Sequence, residues 1–349
     1  MADYSVLPLS AMSPPNATIR DVARLSGVSP MTVSRVINDS ERVSPETRTR
    51  VEQAISDLGY IPSRLARGLS RQRTGTLAVV VPDVANPFFT AIVRAAEEVA
   101  RRADYHVILG DTRADLSVER EVIEELIAHR VEGTVIAPVS DRSLTHLRRL
   151  AEFGVPFVLV DRIVAGIESD VVLGDSVGGA RRLVEHLLSL DHRRIGFIVE
   201  PDDVSTARER RAGYEAALNA AGVAVDPSLV VEATADPSGG AMGMTRLLEL
   251  EPRPTAVFTV NNLVALGAIE AVRAAGLEVP DDVALVCFDD IEYASRLYPF
   301  LTAMEQPAQT FGKLSTQLLL DRIDGRAPQR RQEIVLPGEF IVRKSCGAR

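Results

Sequence analysis

The sequence predicts an all-α helix-turn-helix headpiece followed by an α/β core of two doubly wound parallel-sheet subdomains. Three observations carry that reading. Residues 18–38 contain two short amphipathic patterns separated by a tight turn. From Thr76 onward, apolar runs of strand length alternate with helical patterns, as expected of parallel strands covered on both faces. The charge is also divided: the chain carries −9 overall, yet residues 18–73 hold ten arginines against six acids, for +4, and the core holds −12. A polyanion would therefore be attracted to one end of the molecule and repelled by the rest.

Taken in order, the headpiece begins after Met1–Ala17, a Pro- and Ser-rich stretch read as a disordered tail, without the basic start and apolar core of a secretion signal. In the first helix Ile19, Val22, Ala23 and Leu25 supply an apolar face, and Ser26, Gly27 and Val28 make the turn. Ser29 reads as an N-cap, with Pro30 at the first helical position. Val33, Val36 and Ile37 can face inward, which leaves Pro30, Met31, Thr32, Ser34, Arg35 and Asn38 for the outside, the layout of a DNA-reading element. Any small three-helix unit also needs capped amphipathic helices. A third helix starts at Ser44-Pro45, buries Val51, Ala54, Ile55 and Leu58, and stops at Gly59. The basic stretch Tyr60–Leu69 that follows is too short to be a stable helix alone.

In the core, Leu77–Val81, Tyr105–Leu109, Gly133–Ala137 and Phe157–Val160 read as buried strands of a first lobe. A second set starts near Val171, with Arg194–Val199, Ala256–Val260 and Val283–Phe288. Open α/β sheets bind ligands beyond the carboxyl ends of their strands. Those positions are polar or aromatic here: Asp83, Asn86, Phe88, Phe89, Ser140, Asp161 and Arg162 on the first lobe, and Asp175, Thr206, Arg210, Asn261 and Asp289 on the second. Plainer readings stand beside these. Asn86-Pro87 and Asp175-Ser176 are also helix starts, Phe88 and Phe89 could be core residues, and Asp289 could pair with Arg210 to hold the lobes together. Gly174-Asp175-Ser176 is similar to a hydrolase nucleophile turn, but none of the five histidines stands beside a Ser or Cys in a recognisable arrangement. No phosphate loop, metal motif or other cofactor signature appears, so a binding protein is expected rather than an enzyme. Cys287 and Cys346 read as free thiols, and no run is long and apolar enough to span a membrane, so the cytoplasm is expected.

The headpiece run Thr18–Leu69, with Thr-Val-Ser-Arg-Val-Ile-Asn and Tyr-x-Pro-Ser-x-x-Ala-Arg-x-Leu, resembles the lactose-repressor (LacI/GalR) family of bacterial transcription regulators. The likeness continues through Asn86-Pro87-Phe88-Phe89, Val160-Asp161-Arg162, Arg210–Tyr214, Arg253–Phe258, Cys287–Asp290 and Ile341–Cys346, in the family's order. It implies a periplasmic-binding-protein-like core and the following boundaries: tail 1–17, headpiece 18–62, hinge helix and linker 63–75, a first subdomain of 76–174 and 303–331, and a second, dimerising subdomain of 175–302 and 332–346. The chain would cross between lobes near Ala303–Gln306 and again near Arg331–Glu333.

On the DNA side, Arg35 suits bidentate readout of guanine, while Pro30 and Met31 offer only apolar contact to bases. The hydroxyls and amide of Thr18, Thr32, Ser34, Asn38 and Ser44 are expected on phosphates, with helix capping as the plainer role. By resemblance Ala66 and Leu69 meet the minor groove, Leu69 as the wedge that opens a base step. These features imply a homodimer on a palindromic double-stranded operator. They also imply a small-molecule effector, a sugar or nucleoside-like metabolite, touching Phe88, Phe89, Asp161, Arg210, Asn261 and Asp289. A protein corepressor is the alternative trigger. The chain ends soon after Ser345, leaving no room for a tetramer-forming helix. Two departures concern the ligand: Asn261-Asn262 replaces the usual Asn-Asp, and Ala235 stands where an aromatic residue is frequent. With no Trp in the chain, stacking falls to Phe88 and Phe89.

Overall fold

The structure is a computed structural model that describes residues 17–37, 43–60 and 74–348. These residues fall into two compact units that part after Thr74. In the first unit, helices α1 (Ile19–Ser26), α2 (Pro30–Ile37) and α3 (Pro45–Leu58) close over a small core of Val22, Ala23, Val33, Val36, Val51 and Ala54. Thr18 and Asp21 cap α1, and Gly27 ends it with φ +68°, a left-handed conformation that spares the turn the Cβ clash any other residue would bring. The Ser29 hydroxyl accepts from Thr32 N–H at 3.1 Å and Ser44 accepts from Thr47 N–H, so both are caps as the sequence reads. Leu25 departs from expectation: it is 54% exposed, and Ser26 takes the buried place in the last turn by bonding back to the Val22 carbonyl at 2.7 Å.

The second unit contains two six-stranded sheets. The first comprises β1 (Thr76–Val81), β2 (His106–Asp111), β3 (Gly133–Ile136), β4 (Phe157–Val160), β5 (Asp170–Gly174) and β11 (Glu333–Leu336), in the order β11-β5-β4-β3-β1-β2 and all parallel. The second comprises β6 (Ile195–Val199), β7 (Val230–Glu232), β8 (Ala256–Thr259), β9 (Ala284–Phe288), β10 (Thr302–Glu305) and β12 (Glu339–Ile341), in the order β12-β10-β9-β8-β6-β7, with only β12 antiparallel. Helices α4 (Pro87–Arg102), α5 (Leu116–Ala128), α6 (Leu144–Glu152) and α12 (Ala308–Ile323) belong with the first sheet. Helices α7 (Ser176–Ser189), α8 (Ser205–Ala220), α9 (Pro237–Leu248) and α10 (Asn262–Ala274) belong with the second, and a short α11 (Glu292–Leu297) follows β9. Central strands are buried end to end, apart from Thr76 at the start of β1, as near-continuous apolar runs require.

In each sheet the strand order reverses between the first and third strands of its lobe, β1/β3 and β6/β8. That switch point opens the crevice in which ligands of doubly wound folds sit.

Four expectations need correction. The strand near Val171 closes the first sheet, paired with β4 and β11, rather than opening the second. Residues 303–305 belong to β10 of the second sheet, so the first subdomain resumes at Gln306, not at 303. Residues 333–336 form β11 of the first sheet, so the return to the second lobe runs through Pro337-Gly338, after β11, rather than near 331. The physical reason is pairing: β11 lies against β5 in register, Glu333 opposite Val171, while Asp170 takes Gln332 N–H at 2.7 Å. The strand Tyr105–Leu109 was expected to be buried. As β2 it is instead an exposed edge, with Ile108 36% and Leu109 48% accessible.

Candidate nucleic-acid interface and effector cleft

The outward face of α2 is held from behind by Val33, fully buried, and Val36. Met31 stands 65% exposed, with Pro30 beside it, and Arg35 is exposed with no ion pair or hydrogen bond among the described residues. Ser34 and Thr32 are half-buried, and the Thr32 hydroxyl lies 2.9 Å from that of Ser29. Thr18 donates its hydroxyl to Asp21 at 2.7 Å. Thr18 and Ser44 thus serve as caps, and Thr32 supplies the N–H that the Ser29 cap accepts. Asn38, Ala66 and Leu69, with the tail and most of the hinge, lie outside the described residues.

In the core unit a cavity of about 680 Å³ lies between the carboxyl ends of the two sheets, at both switch points. Asp83, Asn86, Phe89, Ser140, Arg162 and Asn261 line it, six of the twelve strand-end residues singled out from the sequence. The other six do not reach its wall. Phe88 is packed into the first lobe, its ring edge-on to Phe89 and to Phe311 at 5.1 and 5.7 Å, because the proline-led first turn of α4 aims it at the core. Thr206 is 3% exposed in the first turn of α8.

Asp161, Arg210 and Asp289 form a buried polar layer behind the cavity. Arg210 donates to the Val260 carbonyl at 2.7 Å, lies 3.9 Å from Asp289 and stacks over Phe288 at 3.9 Å. Asp289 accepts from the Gln306 amide at 2.8 Å, which ties the end of β9 to the first crossing strand. Gly174 permits this crossing to pack closely, since a Cβ there would overlap the Gln306 side chain. The Arg210–Asp289 pair lies wholly within the second lobe, so the plainer role expected of it, holding the two lobes together, is not one this pair performs.

Asp161 and Asp289 occupy matching places at the ends of β4 and β9, and both adopt left-handed backbone, φ +66° and +63°. Asp tolerates that region better than most residues, and such conformations cluster at ligand sites. Burial raises the Asp161 carboxyl to about 6, although the Arg162 and Arg210 guanidiniums pull it down; Asp289 and Glu200 add to the rise. Burial also raises Asp289, against the pull of Arg210 and the Gln306 hydrogen bond. Asp161 Oδ1, Arg162 Nε and Arg210 Nε are buried with no hydrogen-bond partner among the described residues, which is costly in a closed core.

Residues passed over in the sequence complete the cleft. Glu200, directly after β6, is buried and accepts from Arg162 at 3.2 Å across the lobes. The strand-end rule that found Asp161 would have found it. Beyond it, Asp141 pairs with Arg208 at 2.6 Å, Arg142 with Asp203 at 3.2 Å, and Asp141 N–H donates to the Asp203 carbonyl at 2.8 Å. Asn262 donates to Asn86 at 3.4 Å on the other side. Their roles depend on which loops face each other, which no linear motif records. Asp175 caps α7 by accepting from Gly178 N–H at 2.8 Å, and Ser176 is buried in the helix, so Gly174-Asp175-Ser176 is a helix start rather than a nucleophile turn.

A helix-turn-helix unit and a two-lobed α/β core with a cleft, joined on one chain, are the parts of a DNA-binding regulator. Residues 18–63 match the family described as bacterial regulatory proteins, lacI family, and residues 184–346 match the periplasmic binding protein-like domain. The chain is 37% identical over 312 residues to the HTH-type transcriptional regulator GalR of Escherichia coli strain K12, covering 89% of this chain and 90% of that one. Among solved structures, the transcriptional regulator CelR–cellobiose complex superposes with a TM-score of 0.71 at 35% identity, covering 94% and 99% of the two chains. The lac repressor dimer bound to operator and the anti-inducer ONPF does so with a TM-score of 0.82 at 30% identity, covering 95% and 99%. The chain belongs to the LacI/GalR family of bacterial transcription regulators. It is a DNA-binding transcriptional regulator of that family and not an enzyme. The alternative trigger, a protein corepressor, finds no support among these relatives, whose solved complexes hold small molecules.

Proposed function

We propose that the protein is a repressor that grips a palindromic operator as a homodimer and changes its grip when a small metabolite, a sugar or nucleoside-like compound, enters the core cleft. The observation that carries this reading is the outward face of α2, where Arg35, exposed and without an ion pair or hydrogen bond among the described residues, stands beside Met31 and Pro30 on a helix backed by Val33 and Val36. Arg35 reads guanine, Met31 and Pro30 touch thymine methyls, and Thr18, Thr32, Ser34, Asn38 and Ser44 position the unit on phosphates. Ala66 and Leu69 contact the minor groove, with Leu69 as the wedge. DNA as the target places the protein in the cytoplasm, and no described helix is long and apolar enough to cross a membrane.

The dimer finds support in exposed apolar side chains on the core: Ile108 and Leu109 on the edge strand β2, and Leu297 and Tyr298 after β9, the last two 89% and 64% accessible. The lac repressor relative is a dimer on its operator. Asp83, Phe89, Ser140, Arg162 and Asn261 form the first ring of effector contacts. Phe88, Asp161, Thr206, Arg210 and Asp289 stand behind them and report a change of lobe angle. An effector shifts the lobes only as far as its affinities for the two arrangements differ.

The test is operator binding by fluorescence anisotropy at fixed salt, using the palindrome flanking the protein's own gene. Arg35→Ala lowers specific affinity by roughly 10- to 100-fold and leaves binding to unrelated DNA within about threefold, as loss of one bidentate base contact should. Equal losses on both DNAs would contradict the assignment.

A further inference from the structure

The cavity is longer than one sugar ring needs. Its wall is built from the segments after β4 (Arg162), β3 (Ser140), β1 (Asp83) and β2 (Arg113), four neighbouring strands of the first sheet. At the usual spacing of about 4.8 Å between strands, that row of ends spans roughly 14 Å. The opposite wall follows β8, β6 and the edge strand β7, which contributes Ala235 and Asp236. A single six-membered ring covers little more than one strand spacing, so a monosaccharide would leave most of the 680 Å³ to water.

The chemistry of the wall narrows the ligand further. Five carboxylates face three guanidiniums along it, which disfavours a phosphate or carboxylate ligand. Two of those acids, Asp115 and Asp236, accept from the first-turn N–H groups of α5 and α9 and stay ionised, with carboxyls held below the ordinary range; for Asp236 those bonds outweigh the burial that acts against them. Phe89 is the only aromatic side chain on the wall, so a nucleobase would find one stacking face and not two. Arg162 on the wall is buried and already donates to the Val139 carbonyl at 3.0 Å and to Glu200 at 3.2 Å, so a neutral hydroxyl suits this end better than a second anion. Asn261 fixes the outer part: its amide donates to the Ala235 carbonyl at 3.2 Å, so the small side chain at 235 leaves the passage between the inner polar end and the β2/β7 end open.

We infer that the cleft takes a neutral, polyhydroxylated ligand of at least two linked rings, an oligosaccharide, and that the methyl side chain of Ala235 is the specificity determinant that admits the second ring. This inference rests on the cleft being an effector site.

The experiment is calorimetric titration of the full chain with neutral mono-, di- and trisaccharides, glucose 6-phosphate and adenosine. A di- or trisaccharide binds roughly tenfold or more tightly than any monosaccharide, phosphate ester or nucleoside in the series, and Ala235→Trp weakens that ligand by about tenfold while its component monosaccharide stays within about threefold. Ala235→Phe repeats the test with a smaller ring, and thermal unfolding checks that both variants fold; the wild-type ranking decides the question even if neither does. A monosaccharide, glucose 6-phosphate or adenosine as the tightest ligand overturns the oligosaccharide inference and leaves the effector site standing. Equal losses for long and short ligands in a folded Ala235→Trp variant overturn the role of Ala235. Binding by no member of the series overturns the inference and the effector reading together.

Discussion

At the scale of single residues, Asp161 and Asp289 tell most about how the core stores its response. Each sits at a strand end on left-handed backbone, buried, beside an arginine whose Nε has no hydrogen-bond partner among the described residues. An acid raised from 3.8 to about 6 holds its proton more firmly folded than unfolded, so folding loses stability as the pH climbs from about 4 to about 6 and then levels off. The cost at neutral pH is about 3 kcal/mol. Asp161→Asn removes the titration. Its melting temperature therefore rises relative to the wild type across that window and stays several degrees above it at pH 7. Scanning calorimetry on both proteins between pH 4 and 7.5 checks this, and a gap that does not change with pH would show that the burial of Asp161 is already compensated. The candidate site was only half legible at this scale. Asp83, Phe89, Ser140, Arg162 and Asn261 followed from the strand-end rule, but Phe88 and Phe89 are neighbours of one type on a single helix turn, both buried in the first-lobe core, and only the three-dimensional packing decides that Phe89 also reaches the cavity wall.

At the scale of elements, strand β2 separates what a linear pattern can reveal from what it cannot. Tyr105–Leu109 reads as a buried run, yet the structure leaves Ile108 and Leu109 open on the edge of the first sheet. An apolar run records that a strand is covered, not whether its cover comes from the same chain. Exposed apolar edges of this kind promote association unless a partner covers them. Leu109→Lys therefore shifts the protein from dimer toward monomer in sedimentation velocity at micromolar concentration. Operator affinity falls by roughly 100-fold with it, because two linked half-site contacts become one. A Leu109→Lys protein that sediments as a dimer and keeps its operator affinity would move the interface elsewhere. Leu25 on α1 repeats the lesson in the headpiece, where Val22, Ala23 and Ser26 take the buried face and Leu25 stays exposed.

For the whole molecule, the two-unit plan, the two parallel sheets and the place of the cleft were all present in the alternation of apolar runs and polar strand ends. The crossings were less legible. Glu333–Leu336 and Glu339–Ile341 are short and half-exposed, and only pairing assigns the first to β5 and the second to β10. The interlobe pairs Asp141–Arg208, Arg142–Asp203 and Arg162–Glu200 likewise join residues far apart in sequence. The division of charge, +4 on residues 18–73 against −12 on the core, is a property of the chain as a whole, and with Arg35 it requires DNA binding to be both salt-dependent and selective. The most direct measurement is selection of genomic fragments by the purified full-length protein at about 0.15 M salt, near the physiological ionic strength. The account predicts enrichment of one approximately palindromic sequence, bound roughly 1,000-fold or more above bulk DNA. Uniform, salt-labile binding to every fragment, with no sequence enriched, would contradict it.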